Sequence, residues 1–148
     1  MRTLAQELTA QAEIPYNKAV ALQGYLRMFT YTLGIPPLPL NGDGAEHLLF
    51  TVGGGYSEYF GTTMPVMLRA IGIPSRMVVG YTRGKLQEDG SFIVRDQNSH
   101  GWAEVFFPGY GRVTFEPMAG REPILRGEEA ASDLKSRAGF GKEFDEDE

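Results

Sequence analysis

Three side chains that could do chemistry together stand far apart along this chain: the hydroxyl of Ser57, the imidazole of His100 and the carboxyl of Glu116. Ser57 follows the glycine triplet at 53 to 55 and opens an apolar helical stripe, Phe60, Met64, Met67, Leu68 and Ile71, which Gly72 and Pro74 stop. Backbone N–H groups at a helix start lack helical partners and the macrodipole is positive there, so a nucleophile at that point is favoured as an anion. An imidazole within hydrogen-bond reach serves as general base, and a carboxylate behind it orients the ring and holds its charge. Taken alone, a serine at a helix N-terminus is usually a cap.

The elements that must position these groups can be read from periodicity. Leu22, Leu26, Phe29 and Leu33 predict a helix over about 17 to 32 with one buried face, and the prolines at 36, 37 and 39 cannot continue it. The stripe from Phe60 predicts the helix that Ser57 opens, with Pro65 inside it at the cost of a backbone hydrogen bond. Strands are expected at 77 to 81, at 92 to 94 and, as a hairpin around Pro108-Gly109-Tyr110-Gly111, at 100 to 107 and 112 to 115. Helices first and antiparallel strands afterwards predict an α+β architecture. Side chains alternate along a strand, so His100, Trp102 and Glu104 share one face. Glu116 reaches that face only if the hairpin loop has an odd number of residues or a strand carries a bulge, and Gly109 and Gly111 suit a three-residue loop.

At 148 residues the chain can bury one good core. The net charge of -5 is concentrated in residues 127 to 148, which hold eight acids against three bases; residues 1 to 126 carry eleven of each. We therefore expect one domain over 1–126 and an acidic, disordered tail or linker over 127–148. A neutral body argues against nucleic acid as a partner. With no Cys there is no disulfide, thiolate metal site or thiol nucleophile, and His47 and His100 without spaced carboxylates make a poor zinc set. No metal or cofactor is expected. No apolar run is long enough to cross a bilayer, so the chain as given is expected to be soluble.

Three segments together carry a more specific signal: Gly55-Tyr56-Ser57-Glu58-Tyr59-Phe60, Met67 to Tyr81 (MLRAIGIPSRMVVGY), and His100-Gly101-Trp102-Ala103-Glu104-Val105 running on to Phe115-Glu116-Pro117. They resemble the transglutaminase-like superfamily, which shares its core with papain-type cysteine proteases, and in particular its bacterial membrane-anchored branch. The resemblance covers about residues 17 to 119. It implies a core in which the nucleophile-position helix packs on an antiparallel sheet. It also implies an acyltransferase or peptidase acting through an acyl-enzyme on glutamine side chains or peptide amides. Carried over by position, Ser57 stands where the family has its nucleophilic Cys, His100 is the base and Glu116 the orienting acid. Asp96 is the runner-up for that last role, although its place before His100 reads as a turn.

The resemblance further implies a protein or peptide substrate, cell-wall peptide among the candidates, and a parent chain anchored in a bacterial membrane with this segment on the extracytoplasmic side. A monomer is expected. Tyr56, Tyr59 and Trp102 are candidates to line an acyl-binding cleft, though core packing explains them equally well. Gly101 stands where a small Ala or Met is commoner, and Arg112 where an aromatic is. The serine, whether natural or engineered, is expected to abolish or greatly weaken acyl transfer. The competing reading is a noncatalytic module that uses the same cleft to bind a peptide or cell-wall strand.

Overall fold

The computed structural model describes residues 1–127. The expected acidic tail lies outside the described residues apart from Gly127. Helix α1 (Arg2–Leu8) is followed by α2 (Pro15–Leu26), which begins with a proline where no N–H is needed. Strand β1 (Thr30–Tyr31) leads through the proline-rich loop to the short helix α3 (Gly44–Glu46). There the Asp43 carboxylate accepts the N–H groups of Ala45 at 2.8 Å and Glu46 at 3.0 Å. A π-helical turn, His47–Val52, ends at Gly53, whose φ of 74° is left-handed. Then come β2 (Gly54–Gly55), α4 (Ser57–Ala70), β3 (Ser75–Tyr81), the small hairpin β4 (Lys85–Leu86) and β5 (Phe92–Ile93), β6 (Ser99–Phe107) and β7 (Gly111–Phe115).

Helix α4 is the centre of the packing. It lies between the helices α1 and α2 and an antiparallel sheet of order β3-β6-β7. Phe60, Met64, Met67 and Leu68 are fully buried on it, as its stripe predicts, and they meet Leu22 and Leu26 of α2 and Ala103, Val105 and Phe115 of the sheet in one core. Burial of each such large side chain is worth about 1.5–3 kcal/mol. The architecture is therefore α+β with the nucleophile-position helix on an antiparallel sheet, as expected. The hairpin has the three-residue loop: Phe107 pairs with Gly111, and Gly109 and Gly111 both take positive φ.

The first long helix departs from expectation. It ends at Leu26 rather than near Thr32, and Leu33 is 72% exposed instead of extending the buried face. The chain leaves the helix because Thr30 and Tyr31 pair in parallel with Gly54 and Gly55. That pairing also explains part of the glycine triplet, since a side-chain carbon on Gly54 would fall 2.5 Å from the Thr30 carbonyl oxygen. Helix α1 and the β4–β5 pairing are additions that periodicity did not assign.

Where α4 crosses β6 both chains carry glycine. A side-chain carbon on Gly61 would stand 3.1 Å from the backbone of Gly101 and Trp102; one on Gly101 would meet the Met77 methyl at 2.9 Å and the Ser57 carbonyl at 3.4 Å. Backbone cannot yield cheaply, whereas the end of a methionine can. Gly61→Val should therefore cost about 1–3 kcal/mol by overpacking and lower the melting temperature by roughly 3–10 °C. Gly101→Ala should cost under about 1 kcal/mol. Thermal unfolding of the two variants checks this, and equal melting temperatures for Gly61→Val and the parent would remove the glycine argument.

Candidate active site

Ser57 is the first residue of α4, with Tyr56 in the capping position in an extended conformation, and no side chain caps the first turn. The bland role of a helix cap is thus not the one Ser57 plays. Its hydroxyl donates instead to the Glu58 carboxylate, with Oγ to Oε2 at 3.1 Å, and the residue is buried. N–H groups in the first turn of a helix point out of its N-terminus, the end that carries Ser57, and such donors can stabilise a developing oxyanion.

His100, the second residue of β6, is only 5% exposed and Glu116, one residue past β7, only 7%. His100 Nε2 lies 2.6 Å from Glu116 Oε2. An ionised carboxylate can only accept, so the imidazole carries its proton on Nε2 and presents Nδ1 as the basic nitrogen. Glu116 is itself held firmly. Its Oε1 accepts the Met118 N–H at 3.2 Å, and its own N–H donates to the Gln23 amide oxygen at 3.0 Å. A buried acid of this kind is tolerable because both oxygens are engaged.

Ser57 and His100 line one cleft of about 440 Å³ together with Tyr31, Leu33, Tyr56 and Glu58. Gln97, Ser99, Met118 and Arg121 complete it. The structure therefore brings all three expected side chains together: Ser57 and His100 on the cleft wall, Glu116 behind the imidazole. Asp96 sits in a 3₁₀ turn, Asp96–Asn98, as its turn reading has it. A second depression, about 210 Å³, lies beside the first and shares Tyr56 and Glu58; Leu38, Gly44, Tyr59 and Thr62 form the rest of it. Tyr56 and Tyr59 meet edge to face at 4.9 Å between the two. Trp102 lines neither depression. Its indole lies over Gly80 and stacks on the His100 ring with centroids 6.1 Å apart.

Several lining residues escaped the sequence reading. Tyr31 falls inside the helix that periodicity predicts and Leu33 on its apolar stripe, and Met118 and Arg121 follow the last strand with no periodicity to mark them. His47 is buried and bonds the Pro36 carbonyl oxygen at 3.2 Å, tying down the proline-rich loop. Among the described residues no group of three or more His, Asp or Glu side chains could hold a metal ion.

A nucleophile position at a helix N-terminus, packed against a strand whose imidazole is backed by a carboxyl group, is the arrangement of the papain-like fold. The chain belongs to the transglutaminase-like superfamily, whose family description matches residues 2–117. It is 40% identical over 128 residues to YebA of Bacillus subtilis (strain 168), covering 81% of this chain and 17% of that protein. It is 34% identical over 119 residues to a protein-glutamine gamma-glutamyltransferase of Pseudomonas aeruginosa, covering 78% and 18%. The chain thus spans under a fifth of the length of these relatives. The periplasmic domain of TgpA from Pseudomonas aeruginosa superposes with a TM-score of 0.70 at 33% identity, covering 78% of this chain and 41% of that one. A protein from Cytophaga hutchinsonii whose name assigns it to the cysteine proteases superposes at 0.56 with 18% identity, covering 88% of this chain and 42% of that one, which shows the fold alone. Among the described residues no helix is long and apolar enough to cross a membrane.

Two measurements probe the site without any substrate. Ring ¹⁵N shifts of His100 should report the Nε2–H tautomer in the parent and a mixture of tautomers in Glu116→Ala; an unchanged tautomer would show that Glu116 does not set the ring. At Tyr56, partial burial first, then the charges of Tyr59 and Glu58, raise the phenol above its ordinary value of 10.0. A raised value favours the neutral phenol in the folded state, so this contribution to stability is complete below pH 10 and is lost as pH rises through the folded value. Difference absorbance should show one late-ionising tyrosine that is missing from Tyr56→Phe.

Proposed function

We propose that the domain is a transglutaminase-like acyl-transfer scaffold in which Ser57 occupies the nucleophile position, His100 is the base and Glu116 orients it, with catalysis lost or much weakened by the serine. The observation that carries this reading is the buried His100–Glu116 bond opening, through the other face of the imidazole, onto the cleft that Ser57 also lines. With a thiol at position 57, sulfur attacks the carbonyl carbon of a glutamine side chain or peptide amide. Nδ1 of His100 takes the thiol proton and passes it to the departing ammonia or amine. The thioester then yields to a primary amine or to water, which returns a proton through the same nitrogen.

A hydroxyl serves this site poorly. A thiol has a pKa near 8.5 that a helix terminus and an imidazolium readily depress, giving a stored thiolate. A serine hydroxyl is far less acidic and must lose its proton during attack. In this chain that proton is directed at Glu58 rather than at the imidazole. The relation to a protein-glutamine gamma-glutamyltransferase supports glutamine-bearing protein or peptide as the acyl donor, cell-wall peptide being one form of it. The periplasmic setting of the solved relative supports an extracytoplasmic site in a membrane-anchored parent.

Ser57→Cys tests the reading directly. Incorporation of a fluorescent primary amine into a glutamine-bearing protein should rise at least about a hundredfold over the Ser57 chain, and His100→Ala added to Ser57→Cys should remove the gain. A folded Ser57→Cys protein that stays inert while still binding peptide in the cleft would instead favour a noncatalytic binding module.

A further inference from the structure

The segment after β7 forms part of the cleft yet has no ladder of its own. Residues 116 to 126 carry no helix or strand, and the chain there is held to the body from α2. Arg27, which closes the C-terminal end of α2, reaches across to three carbonyl oxygens of this strap. Nη1 donates to Glu116 and to Met118, both at 2.9 Å, and Nη2 to Arg121 at 2.7 Å. One turn earlier Gln23 accepts the Glu116 N–H. Hydrogen bonds from a charged donor are the stronger kind, and a planar fork can satisfy several acceptors in fixed directions, which an ammonium cannot.

The three acceptors are not scattered. Glu116 holds the imidazole, while Met118 and Arg121 are walls of the cleft. Between them a side-chain carbon on Gly120 would touch the Tyr31 ring at 3.3 Å, so the strap is seated against a third wall residue. Main-chain and side-chain groups of Glu116 are thus all engaged, with Gln23, Arg27, Met118 and His100, and two of these four contacts come from α2 and its cap.

We propose that Arg27 is a positioning residue for acyl transfer: by fixing the strap it sets the Glu116 carboxylate on His100 and, at the same time, one wall of the substrate cleft. This rests on the function proposed above, but its structural half does not depend on activity. The core cluster is drawn almost wholly from the helices and the sheet, with Met118 its one member from the strap, so removing the fork should loosen the site rather than unfold the protein.

The test compares Arg27→Met and Arg27→Lys with the parent, first in the Ser57 chain and then with Ser57→Cys added. In the Ser57 chain, hydrogen exchange at the Met118 amide should accelerate roughly tenfold or more in Arg27→Met, and the ring ¹⁵N shifts of His100 should move from one tautomer toward a mixture. Arg27→Lys, which keeps the charge and the stem, should restore these only in part, and it is the deciding variant if Arg27→Met does not fold. With Ser57→Cys present, kcat/KM for amine incorporation should fall roughly 10- to 100-fold, with both kcat and KM affected because acid and cleft wall share one support. Parent-like Met118 exchange and His100 tautomer in a folded Arg27→Met, or in Arg27→Lys where that variant decides, overturns the proposal. Inertness of every protein carrying Ser57→Cys, alongside a loosened strap, would instead count against acyl transfer and leave the positioning role standing.

Discussion

Everything at the site depends on how closely helix α4 can lie on strand β6. The crossing point is made of two glycines, Gly61 and Gly101, with no side chain between the two backbones. Had either carried a bulky residue, the helix would stand off by the thickness of a side chain and its N-terminus would retreat from the strand's first imidazole. Close approach brings Ser57 and His100 onto one cleft wall although they are far apart in sequence. The glycine at 101 thus reads as permission for contact, and the absence of a commoner Ala there costs only the small methyl whose place Met77 already occupies.

The hairpin supplies the second constraint. Because Phe107 pairs with Gly111 across three residues, even-numbered positions of β6 face even-numbered positions of β7 and of the segment beyond. A loop one residue shorter would send the Glu116 carboxyl to the core side and leave the His100 Nε2 proton buried without an acceptor, an arrangement worth several kcal/mol of penalty in an apolar setting. Local turn chemistry, in the form of positive φ at Gly109 and Gly111, therefore decides whether the buried pair can exist.

Legibility in the sequence followed this division between local and remote causes. Helix α4 could be read because its stripe, Gly72 and Pro74 all lie within one window, and the hairpin because parity is a rule of counting. The end of α2 could not. Phe29 and Leu33 extend the helical spacing, and only a parallel contact with Gly54 and Gly55, remote along the chain, pulls Thr30 and Tyr31 out of the helix. Arg27 was equally hidden, since its partners are carbonyl oxygens, which every residue has and no side-chain pattern announces. The three positions proposed to react came from family resemblance; spacing alone leaves Ser57 as a cap.

Burial of the His100–Glu116 pair bears on what the serine means. Taking an acid and an imidazole out of water is costly, and apolar residues of similar volume in such a place are often as stabilising or more so. A cleft kept only for the integrity of the fold has no use for the pair, nor for the Gln23 and Met118 contacts that make it tolerable. Ser57 takes no part in that network; its hydroxyl turns to Glu58. On the proposed reading, the exchange of sulfur for oxygen is confined to the one atom that would react and leaves the His100–Glu116 pair assembled beside it. This supports reading position 57 as an exchange within a working acyl-transfer site rather than as one feature of a cleft remade for binding.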